Sequence, residues 1–146
     1  MKVSKMEEQG LRLALALAKN HGQMTLPELS QKERFSEALV AKIMGKLRRG
    51  GVVKASRGRH GGYELIDSPE STTVAAVLRS LGRPVFEGCF SARPDPMFDD
   101  CPHMADCSLR PVWEYLGAEV SRTLEEITLA ELMQKERDIK KMLKPH

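Results

Sequence analysis

The run SEALVAKIMGKLRRGGVVKASRGRHGGYELI, residues 36–66, decides the fold. Ser36 is a residue type that caps helix N-termini. Leu39, Val40, Ile43, Met44 and Leu47 follow at intervals of three and four, an apolar stripe of helical period. The opposite face carries Glu37, Ala38, Ala41, Lys42, Gly45, Lys46 and Arg49. It is small at its start and basic at its end. Small side chains let a backbone approach closely and cations suit phosphates, so this helix is fit to enter a DNA major groove. Gly50-Gly51 stops it. Val52–Ser56 then reads as a strand, Arg57-Gly58-Arg59-His60-Gly61-Gly62 as a turn, and Tyr63–Ile66 as a second strand with Tyr63 and Leu65 on one face. Solvated lysines on a surface helix would explain the first element alone. A hairpin with an Arg/Gly tip directly after it favours a wing that grips phosphates or a minor groove.

Working outward to the N-terminus, Thr25, Pro27 and Glu28 predict a capped helix to about Gln31. Before it, Leu11, Ala14, Leu15 and Ala18, with Leu13 and Leu17 on the other side, predict a helix over Lys5–Asn20 buried on two sides and ended by His21-Gly22. In that helix Glu8 and Arg12 stand four apart, spacing for a local ion pair. Three helices and a hairpin make a winged helix-turn-helix.

Towards the C-terminus, Thr72 or Thr73 can cap a helix through Val74, Val77, Leu78 and Leu81, closed by Gly82 and Pro84. Residues 85–107 lose all periodicity, and loops of that length within a compact chain are usually functional or disordered. Pro111 suits a first helical turn, and Trp113, Leu116, Val120, Leu124 and Ile127 form a seam suited to a second helix. Thr128–Glu131 is a capping box opening a last helix, and the Lys-rich end from Lys135 is expected to fray. The fold class is thus mostly α with a small β-hairpin wing: a winged helix-turn-helix domain plus a long dimerisation helix. Three segments are predicted: a DNA-binding domain over 1–84, a cysteine loop over 85–107, and the dimerisation and C-terminal helices over 108–146.

The chain has 146 residues and a net charge of +3, which conceals an asymmetry. Residues 1–66 carry 13 Lys/Arg against 6 Asp/Glu, and residues 67–146 carry 10 against 14. Between Lys42 and Arg59 there are seven basic residues and no acid, a surface for a polyanion. Lys42, Lys46, Arg49, Arg57 and Arg59 are the expected phosphate or groove-edge contacts, with His60 at the wing tip and Ser36, Glu37, Ala38 and Ala41 nearest the bases. Two such units about a twofold axis imply a homodimer on a pseudo-palindromic site in double-stranded DNA. No apolar run approaches the ~18 residues of a membrane span. The longest, Leu13–Ala18, follows Glu7 and Glu8, which does not suit a signal peptide. Local pattern offers no Ser/His/acid set and no phosphate-cradling Gly loop before a helix, so an enzyme is not expected.

Cys89, Cys101 and Cys107 are three thiols with no export signal, which points to a reducing cytoplasm and to thiols that bind or react. Thiolates hold iron–sulfur clusters, zinc or Cu(I). Cys89, Cys101, His103 and Cys107 could also form a zinc site, or the thiols could switch by forming a disulfide. A thiol oxidoreductase is disfavoured because no Cys-x-x-Cys is present.

The chain resembles the winged-helix repressors that carry an iron–sulfur cluster, of the IscR and NsrR type. The resemblance runs through Met1–Ser4, through Ser36–Arg49 with Gly51-Val52-Val53, and through Arg57-Gly58 followed by Gly61-Gly62-Tyr63-x-Leu65. It continues with Cys101-x5-Cys107, Trp113 and Ile127–Leu132. It implies a 2Fe–2S or 4Fe–4S cluster, held by Cys89, Cys101 and Cys107, that tunes affinity for operator DNA. Cys89 and Cys101 are farther apart than is common in the family, and Arg110 stands where some members use a His ligand. Arginine stays protonated and cannot replace it. In some relatives an acidic residue near the N-terminus of the partner subunit is the fourth ligand, and Glu8 falls at that place, with His103 its competitor.

Overall fold

The computed structural model describes residues 3–59, 61–82, 102–103 and 105–143. The first helix, α1 (Lys5–Asn20), opens on a capping box. The Glu7 N–H donates to the Ser4 hydroxyl at 3.2 Å and the Ser4 N–H donates to the Glu7 carboxylate at 2.6 Å. Leu13, Ala14, Leu17 and Ala18 are all buried, so α1 is the central support, packed against α2, α3 and α4. A second capping box, Thr25 with Glu28, opens α2 (Leu26–Glu33). The Thr25 backbone N–H and hydroxyl hold the Glu28 carboxyl below its ordinary value. That cap is at full strength above the ordinary carboxylate range and is lost as pH falls through the lowered value.

Ser36 caps α3 (Glu37–Arg49), its hydroxyl accepting from the Leu39 N–H at 3.3 Å. Val40, Ile43, Met44 and Leu47 have no exposure, as the apolar stripe requires. The hairpin strands β1 (Val53–Ser56) and β2 (Gly62–Leu65) pair antiparallel, with Val53 opposite Leu65 and Ser56 opposite Gly62. The hairpin is fixed to the helices by two bonds: the Met24 N–H donates to Tyr63 O at 2.9 Å and the Tyr63 N–H donates to Met24 O at 2.8 Å. At Gly62 a Cβ would lie 2.8 Å from Met24 O, so glycine is what permits this approach. The molecule is mostly helical with a two-stranded wing, a winged helix-turn-helix.

Thr73 caps α4 (Val74–Leu81), which packs on α1 and α3. The long helix α5 (Arg110–Glu126) lies partly on α4 and buries none of its residues. Its C-terminal end is rooted in the winged-helix core. The Val74 N–H donates to Ile127 O at 2.8 Å and the Leu129 N–H donates to Thr72 O at 2.9 Å. Leu129, at the head of α6 (Leu129–Leu132), is fully buried in that core.

Five local readings differ from the structure, one of them the second strand, which runs Gly62–Leu65 and not Tyr63–Ile66. Helix α2 continues past Gln31 to Glu33, ended by Arg34 in the left-handed region at φ 57°. Strand β1 begins at Val53, not Val52, because the Val52 N–H still donates to Leu47 O at 2.9 Å. The segment expected to fray holds α7 (Glu136–Met142), in which Lys140 pairs with Glu136 one turn before it. Arg12 does not pair with Glu8. Its guanidinium reaches Glu33 at 3.0 Å and lies over the Phe35 ring, 4.6 Å from the centroid, stapling α1 to the turn before α3.

Because Leu129 anchors the distal helices in the core, Leu129→Ala should destabilise the fold by about 2–5 kcal/mol. A urea titration followed by far-UV circular dichroism measures this. A midpoint equal to that of the parent would refute the anchoring role.

Candidate nucleic-acid interface

With its apolar stripe buried, α3 turns the opposite strip to solvent. Ser36, Glu37, Ala38, Ala41, Lys42 and Arg49 are all exposed. The Ser36 hydroxyl uses its oxygen on the Leu39 N–H, which leaves its proton to donate. Glu37 lies in the first helical turn, where a carboxylate is favoured by the helix dipole. At Gly45 a Cβ would sit 3.6 Å from Arg49 Nη1, so the guanidinium folds back over a helix surface without side chains.

The wing adds a second cationic point. Arg57 and Arg59 are exposed, and His60 lies outside the described residues. The tip depends on glycine: Gly58 has φ 113°, and a Cβ at Gly61 would lie 2.5 Å from Ser56 O. At the wing's base Lys54 pairs with Glu64 at 3.2 Å and is thereby committed.

Two basic residues of α3 stand differently from the sequence reading. Arg48 was not among the expected contacts, yet it is exposed, one turn beyond Gly45 and two beyond Ala41. The signal was present in the sequence, since the i+3 and i+4 rows from Ala41 and Gly45 pass through it. Lys46 is half-buried, and its ammonium donates to Leu81 O at 2.9 Å. Among the described residues, Lys42, Arg48, Arg49, Arg57 and Arg59 form no ion pair, while Arg12, Lys54, Arg79, Arg122, Arg137, Lys140 and Lys141 do. Unneutralised cations on one outward strip and one hairpin tip fit the phosphates of a duplex, while small residues at the start of the helix fit close approach to base edges.

Of the expected metal ligands, Cys89 and Cys101 lie outside the described residues. Cys107 is a free, half-buried thiol in the turn that opens α5, and its carbonyl accepts from the Arg110 N–H at 3.3 Å. His103 is exposed. Glu8 is exposed in the first turn of α1 and forms no ion pair among the described residues, since Arg12 has turned to Glu33. Among the described residues no three His, Cys, Asp or Glu side chains gather as a metal site.

On α5, Arg122 sits between Glu119 at 2.7 Å and Glu126 at 3.0 Å, and both carboxylates hold its pKa up. The opposite side carries Trp113 and Leu116, 40% and 39% exposed. Among the described residues no helix is long and apolar enough to cross a membrane.

The family model of Rrf2, an iron-dependent transcriptional regulator, matches residues 3–135. The HTH-type transcriptional regulator CymR of Bacillus subtilis is 29% identical over 134 residues, 90% of this chain and 89% of that protein. The HTH-type transcriptional regulator IscR of Vibrio campbellii is 28% identical over 122 residues, 84% of this chain and 70% of that protein. Among solved structures, CymR, the global cysteine regulator of B. subtilis, superposes with a TM-score of 0.71 at 27% identity, covering 91% of this chain and 96% of that one. These relatives carry the names of transcriptional regulators, not of enzymes.

Removing a phosphate contact should lower the slope of log affinity against log salt by roughly 0.9. Lys42→Ala and Arg59→Ala are each expected to do so, read by fluorescence anisotropy on a labelled random-sequence duplex. Binding that is indifferent to salt and unchanged in both variants would refute the interface.

Proposed function

The chain belongs to the Rrf2 family of transcriptional regulators, and from that premise we propose a homodimeric, cytoplasmic DNA-binding repressor whose operator affinity is set by an iron–sulfur cluster. The observation that carries the DNA half is the set of exposed cations without ion-pair partners on α3 and the wing. Lys42, Arg48, Arg49, Arg57 and Arg59 hold the phosphates, with His60 at the tip. Ser36, Glu37, Ala38 and Ala41 face the bases. There the Ser36 hydroxyl can donate, and the Glu37 carboxylate can accept from a cytosine amine while repelling phosphate.

The dimer is built on α5. A 17-residue helix that buries none of its residues, with Trp113 and Leu116 on its open side, needs a second apolar surface, and its own counterpart supplies one. Two protomers joined in this way present two α3 helices and two wings to a pseudo-palindromic operator.

Cys107 is unpaired and half-buried where α5 begins, and its thiol has the soft-ligand chemistry of a cluster site. Cys101 and Cys89 complete the thiol set, and Glu8 of the partner subunit, exposed and free of Arg12, is the fourth donor. Bound there, the cluster supplies redox-active iron. The chain's own part is to fix Cys107 at the start of the helix that joins the protomers, so that whatever engages this thiol bears on the dimer. The same DNA-binding half controlled by zinc or by a thiol–disulfide switch is the second reading. It is favoured by the likeness to CymR, whose description is that of a cysteine regulator.

Visible absorption of anaerobically purified protein separates the two. The parent should be coloured, Cys107→Ser and Glu8→Ala should lose the colour, and His103→Ala should keep it. A colourless parent that contains zinc or forms a disulfide on oxidation selects the second reading. If His103→Ala loses the spectrum while Glu8→Ala keeps it, the donors lie within one chain. Independently, Trp113→Glu should turn a micromolar dimer into a monomer by sedimentation velocity, and a monomeric parent would count against the arrangement on α5.

A further inference from the structure

Among the cations of α3, Lys46 stands apart. Lys42, Arg48 and Arg49 are exposed, whereas Lys46 is half-buried and spends its ammonium on the carbonyl of Leu81, the last residue of α4. We infer that Lys46 is a positioning residue, which locks the recognition helix onto the end of α4, and not a phosphate contact. The inference rests on the reading of α3 as the DNA-facing helix.

Three observations converge on that joint. The last carbonyls of a helix have no intrahelical donor and carry partial negative charge, so an ammonium is well placed on Leu81 O. One turn beyond Lys46, the two helices meet at backbone distance: a Cβ at Gly50 would lie 2.2 Å from Ser80 Cβ and 2.8 Å from Ser80 Cα. Finally, α4 also carries Arg79, which pairs with Glu125 near the end of α5. The recognition helix and the dimerisation helix therefore share one support. In a dimer built on α5, the separation and tilt of the two α3 helices pass through α4, and Lys46 is the polar tie on the α3 side. Its loss should let α3 shift on α4. That would spoil the match to two half-sites while leaving the general attraction to phosphate in place.

The experiment uses the whole 146-residue chain as parent, Lys46→Met, Lys46→Gln and Lys42→Met. The probes are a labelled duplex enriched from a random pool by the parent and a scrambled duplex of the same composition. Affinity is measured by anisotropy over a salt series, with far-UV circular dichroism to verify folding. Two neutral variants are included so that either one alone can be read. Lys42→Met should lower the salt slope on the scrambled duplex by roughly 0.9 per phosphate contact. Both Lys46 variants should leave that slope at the parental value and cut the preference for the enriched duplex by about tenfold, the size of one disrupted base-pair contact. A slope lowered as in Lys42→Met would make Lys46 a phosphate contact and overturn the inference. An unchanged preference would overturn it too, because a purely structural tie does not affect selectivity in a folded protein. If the parent enriches no duplex at all, the DNA-facing reading of α3 fails before any variant is compared.

Discussion

What α3 shows to solvent is decided by what it hides. Val40, Ile43, Met44 and Leu47 are all fully buried, and a helix held by four such residues cannot rotate without exposing apolar surface. Each of those side chains is worth about 1.5–3 kcal/mol of burial. The outward strip from Glu37 to Arg49 therefore has one orientation, and the wing is set beside it by Val53 in the same core and by the paired bonds between Met24 and Tyr63. This outward cationic surface needs no separate device to assemble it.

The same economy governs α5, in the opposite sense. Leu129 and the bonds from residues 69–74 fix its C-terminal end, and Arg122 with Glu119 and Glu126 satisfies its polar face. Trp113 and Leu116, on its other side, remain exposed. A helix anchored at one end and apolar along an open side is suited to joining two copies while staying registered to each DNA-binding domain. Cys107 lies just before the opposite end of this helix from that anchor.

Much was legible in the sequence because it is local. The capping boxes at Thr25–Glu28 and Thr128–Glu131 each join residues three apart, and the stripe of α3 repeats every three or four. Such patterns are set by the geometry of one helical turn, so the bounds of α1 and the polarity of α3 follow from neighbours alone. Gly61 and Gly62 in the hairpin likewise marked a wing before its clearances to Ser56 and Met24 were known.

Tertiary structure decided what each charge does. Arg12 had a suitable acid four residues before it, yet it pairs with Glu33, 21 residues away, because the packing of α1 against α2 puts that carboxylate and the Phe35 ring within reach. Lys46 reads as one more cation of a basic face, and only the approach of α4, 35 residues on, turns it inward to Leu81. Arg48, by contrast, stays exposed. Helical period and capping are properties of adjacent residues, and the sequence by itself determined them. Ion-pair choice and burial of a flexible cation depend on distances between elements that are remote along the chain, and those exist only once the core has closed.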